Sequence, residues 1–291
     1  MEFTRNSEFL SRNSSNFSRK YSLIRLAGIV MFINTVSPSK IKVYDECKLK
    51  YKLRYIDRVP DKYNENSSKD AMHFGSYIHK IFELGVEAKS EEELWEIAKQ
   101  ERDKYEFGPE KEKLTEKCIK NFFKFNAKLG ETVSTELVFR EQITDDFTIN
   151  GIIDRVIKGS TGKYLVIDYK TSKRASTQRD LFRDPQMLMY AAAINKRYNV
   201  PIGDITVAHY YPHMDKLVSI KYPTTQVNAY VRGELKTKVW EIRKRKRTDF
   251  PPVTNRFCDW CGYKDICPAF NSSPGALAGA IQEAQEARKK D

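Results

Sequence analysis

No run of about eighteen apolar residues occurs in the sequence, which leaves no candidate for a membrane-crossing helix. A recognisable secretory signal is missing too, and the cysteines number five, an odd count that suits no secreted disulfide scaffold. Thiols reserved for metal in a reducing, cytoplasmic interior fit that usage better. There is no internal repeat. A phosphate loop of the form G-x4-G-K-[ST] is also absent, so any unwinding of nucleic acid has to come from a partner. Acidic residues are in deficit: 39 Asp and Glu face 51 Lys and Arg, a formal net charge of +12. Such a surplus favours a polyanionic partner, most often nucleic acid.

What is present describes a globular chain. With 291 residues, 40% of them hydrophobic, it can bury a substantial core as one elaborated domain or two small ones. Residues 1–30 differ from the rest, with six serines, five basic and only two acidic residues and no clear hydrophobic period. They read as a disordered tail or a translated leader, with Met31 able to serve as a start codon. An organelle-targeting segment is the less favoured reading. A short helix is expected over 38–52 and a second over 71–88, where Phe74, Ile78, Ile81 and Phe82 share a face. Charged helical sequence fills about 90–130 as an insertion. Three strands follow, over 135–143, 147–158 and 163–172, separated by polar turns. Asp184 and Pro185 then make an N-cap and first helical residue. Two more strands and a long helix over about 224–247 come next, and residues 271–291 read as a charged C-terminal tail. The central order is α-β-β-β-α-β, an α/β domain with a mixed sheet spanning 31–270.

The chemistry concentrates on two of these strands. In "VIDYKTS", Asp168 and Lys170 stand at i, i+2, which on a strand puts both on one face. The residues before them are almost all apolar, so the pair lies at the inner end of a buried strand, where charge is costly. Asp154 follows "GII" in the neighbouring strand and shares that character. Two aspartates on adjacent strands repel, and a cation between them relieves the repulsion. Hard oxygen ligands select Mg²⁺ or Mn²⁺. Glu136 and Glu141 on the first strand could also face such a cation, but solvated or ion-paired roles are the simpler reading. His73 reads as surface, and Cys118 as a small buried apolar residue.

Asp154, thirteen residues, then Asp168-Tyr169-Lys170 resembles the PD-(D/E)XK nuclease signature, and the element order resembles that fold. His79, one turn after Gly75 in the helix before the strands, and the Q-x3-Y pair Gln186 and Tyr190 in the helix after them resemble the RecB-like branch. The resemblance implies that His79, Asp154, Asp168 and the main-chain carbonyl of Tyr169 hold one or two Mg²⁺ or Mn²⁺ ions. It implies that Lys170 orients or helps deprotonate the attacking water, and that Gln186 and Tyr190 position the substrate strand or the lysine. Gly75 would clear space beside the imidazole.

Near the C-terminus, Cys258, Cys261 and Cys267 form C-x2-C-x5-C, one thiolate short of a closed metal site. A lone Cys47 more than two hundred residues upstream resembles, with that trio, the iron–sulfur staple of RecB-like nucleases such as AddB-like proteins and CRISPR adaptation nucleases. Lys48 departs from the proline common after that first cysteine. The resemblance implies a 4Fe–4S cluster, with zinc less favoured, clasping the N- and C-terminal parts together. For the DNA path, the basic run Arg243, Lys244, Arg245, Lys246 and Arg247 and the loop residues Lys173 and Arg174 are expected to meet phosphates. Tyr51 and Tyr55 either stack bases or pack in the core.

The expected protein is thus a divalent-metal-dependent DNA nuclease, an exonuclease on single-stranded ends in recombination, repair or phage DNA metabolism, working with a helicase or recombination partner. A CRISPR adaptation nuclease that trims spacers is the alternative within the class. A nuclease-dead DNA-binding or scaffolding module is the alternative outside it.

Overall fold

The longest paired segments are two consecutive strands rich in β-branched residues, β2 (Glu131–Gln142) and β3 (Thr148–Lys158), joined by a short polar turn and running antiparallel. The computed structural model describes residues 35–61 and 67–290, so the reading of residues 1–30 lies outside it. Before these strands come β1 (Thr35–Val36), α1 (Pro38–Glu46) and α2 (Lys48–Tyr51), the last continuing as a wider π turn over Lys52–Asp57. Ser37 caps α1 and Pro38 opens it, a pairing that presets its first turn. Then come α3 (Ser67–Leu84), α4 (Glu91–Arg102) and α5 (Glu110–Asn126). After β3 the order is β4 (Tyr164–Tyr169), α6 (Gln178–Phe182), α7 (Pro185–Tyr198), β5 (Ile205–Tyr211) and β6 (Lys216–Lys221). A long helical segment follows as α8 (Thr224–Ala229), a π turn and α9 (Leu235–Lys244), and α10 (Ala276–Lys290) ends the chain.

The sheet runs β1-β3-β4-β5-β6 with β2 on the free side of β3. Only β1–β3 and β4–β5 are parallel, so the sheet is mixed, as expected. One face packs against α1, α7 and the α8–α9 segment, the other against α3, α4 and α5. Helix α7 is buried on nearly every side, which is why "MLMYAAAI" lacks a polar face. The insertion over 90–130 is therefore two helices that complete one of the two cores.

A third, smaller core joins the ends of the chain. Leu49, Leu53 and Val59 meet Tyr263, Cys267 and Ala284 there. Within the stretch read as a charged tail, α10 packs Ala284 inward and keeps its charged residues outward. Beside this core, Asp57 is fully buried and ion-paired with both Lys52 and, at 3.0 Å, Arg247. Tyr51 is 2% exposed, with Tyr44, Tyr55 and Phe250 around it, which makes it a packing residue and not a base-stacking one.

Removing one partner of a buried ion pair strands the other charge, at a cost of about 3–5 kcal/mol. Asp57→Ala is expected to lower the stability measured by denaturant unfolding by that order, against a change within about 0.5 kcal/mol for an exposed surface site such as Lys289→Ala. Unaltered stability in Asp57→Ala removes this fastening.

Candidate active site

Strand β3 changes partners along its length. Thr148 and Ile149 pair with β1, whereas Arg155 onward pairs with β4, ending at Arg155↔Ile167. Asp154 and Asp168 are the next residues on either side of that last pair, where the two strands open into a fork. Asp154 Oδ2 accepts the Tyr169 N–H at 2.6 Å and so takes the place of a ladder partner. The Tyr169 carbonyl points to His79 Nε2 at 2.9 Å, and His79 Nδ1 lies 3.4 Å from Asp154 Oδ2. The geometry thus gathers His79, Asp154 and the Tyr169 carbonyl at one point.

Strand β4 stops at Tyr169, three residues short of its expected end. Lys170 is the first residue beyond it, held by its N–H on Tyr210 O at 2.9 Å. Its Nζ stands 2.5 Å from Asp168 Oδ2. Gln186 Nε2 donates to Asp168 Oδ1 at 2.9 Å, while Gln186 Oε1 accepts from Lys170 Nζ at 3.4 Å. The Tyr190 hydroxyl, one turn along α7, meets Gln186 Nε2 at 2.7 Å and donates to Ile152 O at 2.6 Å. Gln186 and Tyr190 therefore brace the aspartate and the lysine from behind.

Electrostatics at the fork favour acceptance of a cation. Burial, reinforced by the Asp168 charge, pushes the Asp154 carboxyl well above its ordinary value. Burial, with Glu83 adding to it, also raises Glu136. The His79 imidazole is held below its ordinary value by desolvation, which keeps a neutral ring with a free lone pair. For Lys170 desolvation pulls downward, but the charge and hydrogen bonding of Asp168 outweigh it and leave the amine above its ordinary value. Asp168 Oδ2 is buried and, apart from that ion pair, has no hydrogen-bond donor of good geometry among the described residues.

Glu136 joins the cluster although solvated or ion-paired roles were the simpler expectation. Ligand atoms of His79, Glu136 and Asp154 all lie within 4.8 Å of one another. Thr135↔Arg155 and Leu137↔Ile153 bracket Glu136, which puts it across from Asp154. Its φ is +46°, a left-handed conformation that a glutamate in a strand adopts at a cost of order 1–3 kcal/mol. The donor set, one imidazole and crowded carboxylates, matches a hard divalent cation. Asp168 stands beside this trio and not within it. Glu141, by contrast, pairs with Arg197 at 3.4 Å.

His209 is a second residue unforeseen in the sequence. It is 4% exposed and in register with Asp168 on the parallel strand β5. Its Nδ1 meets Ser176 Oγ at 3.1 Å, and its Nε2 lies 3.9 Å from Asp168 Oδ2 and 3.8 Å from Asp184 Oδ2 without a hydrogen-bond partner among the described residues. The Tyr211 hydroxyl donates to Ser176 Oγ at 3.0 Å and accepts the Ser176 N–H at 2.9 Å, so the loop after Lys170 is tied to β5 by three hydrogen bonds. Gly75 serves that loop and not the imidazole: a Cβ there would come 3.2 Å from Thr171 Oγ1.

The remaining expected residues fall in two places. Lys173 and Arg174 are exposed in the loop. Within the basic run, Arg243 donates to Asp146 O, Lys244 lies over Trp240, Arg245 donates to Tyr44 Oη at 2.7 Å, and Arg247 pairs with Asp57. Lys246 is exposed. Arg245 and Arg247 thus fasten the segment after α9 to α1 and to the π turn that follows α2. Cys47, Cys258, Cys261 and Cys267 all line one cavity. Each sulfur meets a main-chain N–H: Val253 at 3.5 Å for Cys47, Asn255 at 3.2 Å for Cys258, Tyr263 for Cys261 and Ala269 for Cys267. No three of the four sulfurs come within 4.8 Å of one another. Cys118 is buried at 0% exposure among Ile119 and Phe122, as expected of an apolar filler.

Among curated proteins the chain is 25% identical to a subunit of the ATP-dependent helicase/deoxyribonuclease of Streptococcus uberis, over 56% of this chain and 16% of that one. It is 24% identical to the corresponding protein of Streptococcus agalactiae, over 62% of this chain and 18% of that one. The chain therefore spans less than a fifth of the length of the relatives it matches. A crystal structure of SSO0001 superposes with a TM-score of 0.39 and 14% identity, covering 83% of this chain and 89% of that one. The sequence profile of the PD-(D/E)XK nuclease superfamily matches residues 35–268, and the chain belongs to that superfamily.

Proposed function

We propose that the chain hydrolyses phosphodiester bonds of DNA with the help of Mg²⁺ or Mn²⁺, and that it works from the ends of single strands. The observation that carries this reading is the cluster of buried acids beside a braced lysine. His79, Glu136 and Asp154 converge on one point, and Asp168 keeps an oxygen without a good donor. Lys170 stands against these acids, paired with Asp168, while Lys80 on the cleft wall pairs with Glu83. A cleft of about 340 Å³, lined by Gly75, His79, Glu83, Tyr105 and Glu136, leads to this point.

His79, Glu136 and Asp154 would hold the cation, with Asp168 and the Tyr169 carbonyl adjoining. Once bound, it supplies Lewis-acid activation of water and neutralises charge that develops on the phosphate. Lys170, held protonated, is suited to donate a hydrogen bond to the water or to a phosphoryl oxygen. Gln186 fixes the lysine and Asp168 relative to each other, so little reorganisation is needed at the moment of reaction. Lys173 and Arg174 extend from the loop that His209 and Tyr211 tie down, and we assign them to phosphate contact, together with Lys244 and Lys246.

A second part of the proposal concerns the cysteines. Four cysteines lining one cavity, each sulfur met by a main-chain N–H, suit a 4Fe–4S cluster, whose iron would offset the burial that raises the Cys261 and Cys267 thiols above their ordinary values. Zinc is the less favoured occupant, because it usually takes its thiolates as two close pairs, whereas these cysteines are split one and three along the chain. The cluster would add a covalent clasp beside the Asp57 fastening. Because the matched relatives carry helicase in their names and this chain has no phosphate loop, a helicase partner in a cytoplasmic DNA-processing complex completes the reading.

Four outcomes are expected. Asp154→Asn and Lys170→Ala each lower cleavage of end-labelled single-stranded DNA with Mn²⁺ by about 10²-fold or more, with strand binding little changed; full activity in either variant removes the active site proposed. Circular single strands resist while linear ones are degraded, and equal loss of both makes the enzyme an endonuclease. Glu136→Gln raises the Mn²⁺ concentration for half-maximal activity by about tenfold or more, whereas Glu141→Gln leaves it unchanged. For the cysteines, protein purified without oxygen is brown and iron-loaded, and a colourless, zinc-loaded sample rejects the cluster.

A further inference from the structure

Helix α9 turns Leu235, Val239 and Ile242 to the core and leaves Trp240 on the opposite face, 54% exposed. An indole is among the largest apolar surfaces a side chain can remove from water, and much of that gain is forgone here. Packing does not account for its position. Lys244 Nζ lies 3.6 Å from the Trp240 ring centroid, one turn along the helix. Lys236 and Arg243 flank the ring on the preceding and following turns, and Lys246 continues the basic surface. A half-exposed indole with an ammonium over one face and further cations on neighbouring turns suits a single strand of nucleic acid: a base has a π-face to stack on the uncovered side, and its phosphate has a charge to pair. A duplex keeps its bases stacked on one another and offers no such face.

We propose that Trp240, with Lys244 and Lys246, forms a base-stacking platform for single-stranded DNA that lies outside the active site and feeds it. This rests on the nuclease reading and deepens it. Both flanking residues tie the platform to one place, since Lys236 Nζ sits 2.7 Å from Asp146 Oδ2 and Arg243 donates to Asp146 O. Asp146 lies in the turn that precedes β3, and the six residues from Thr148 to Asp154 along that strand rise about 20 Å at about 3.3 Å per residue. The platform therefore engages the strand several nucleotides away from the reacting phosphate.

The test uses the full chain and labelled oligothymidines, with binding measured by fluorescence anisotropy in the absence of divalent metal. Trp240→Ala weakens binding of oligomers long enough to span that path by about fivefold or more, the low end for loss of one base–aromatic stack. Trp240→Phe, which keeps a ring, stays within about twofold of the parent. Cleavage of oligomers too short to span the path is unchanged in both. Parental affinity in Trp240→Ala overturns the platform, as does equal loss in Trp240→Phe, which also guards against a mere folding defect in the alanine variant. Parent protein that neither binds nor cuts any single strand overturns the nuclease reading itself, an outcome distinct from a platform that fails alone.

Discussion

Crowded negative charge at the point where β3 and β4 part is the constraint on which the rest of this structure depends. Burying one carboxylate is expensive, and placing a second and a third beside it is more so. The fold meets that cost with main-chain and side-chain devices. The Tyr169 N–H is given to Asp154, Gln186 is given to Asp168, and one lysine is placed where a single strand ends. What these devices leave over is a concave, acid-lined point with a neutral imidazole, which a divalent cation would complete.

The sheet explains how such a point can be built from so few residues. Because β3 leaves β1 before it joins β4, its middle has no ladder on that side, and side chains fill the gap. Helix α7 is buried around nearly its whole circumference, so its polar residues Gln186 and Tyr190 have nowhere to go but the site. The left-handed backbone at Glu136 belongs to the same economy of space, with a strained strand residue turned towards the acids opposite it. The segment around α2 is fastened to the C-terminal segments by a small shared core and the Asp57 ion pairs, and the cysteines line a cavity beside that core.

Much of this was legible in the residues. The α-β-β-β-α-β order followed from periodicity and turn chemistry, and the i, i+2 pair Asp168 and Lys170 declared itself as charge inside an apolar strand. Gln186 and Tyr190 were marked by the resemblance of their Q-x3-Y pair to the RecB-like branch, though not by their bracing contacts. Glu136 was set aside and His209 was not found, because their place depends on register. Strand β2 begins at Glu131, four residues earlier than composition suggested, and no local pattern fixes which of its residues faces Asp154. His209 is set opposite Asp168 only by a parallel pairing across a crossover helix. Helix α10 was missed because its buried side is made of alanines and two larger residues, too weak a stripe to separate from a charged tail. The two basic stretches were visible as charge, but that Arg245 and Arg247 spend theirs on Tyr44 and Asp57 is a tertiary fact.

The central claim is that these acids and one imidazole hold a divalent cation. Crystals soaked in manganese and measured at an energy where that metal scatters anomalously test it most directly. A peak within bonding distance of His79, Glu136 and Asp154 is the predicted result, and clear density for those side chains with no peak among them contradicts the account.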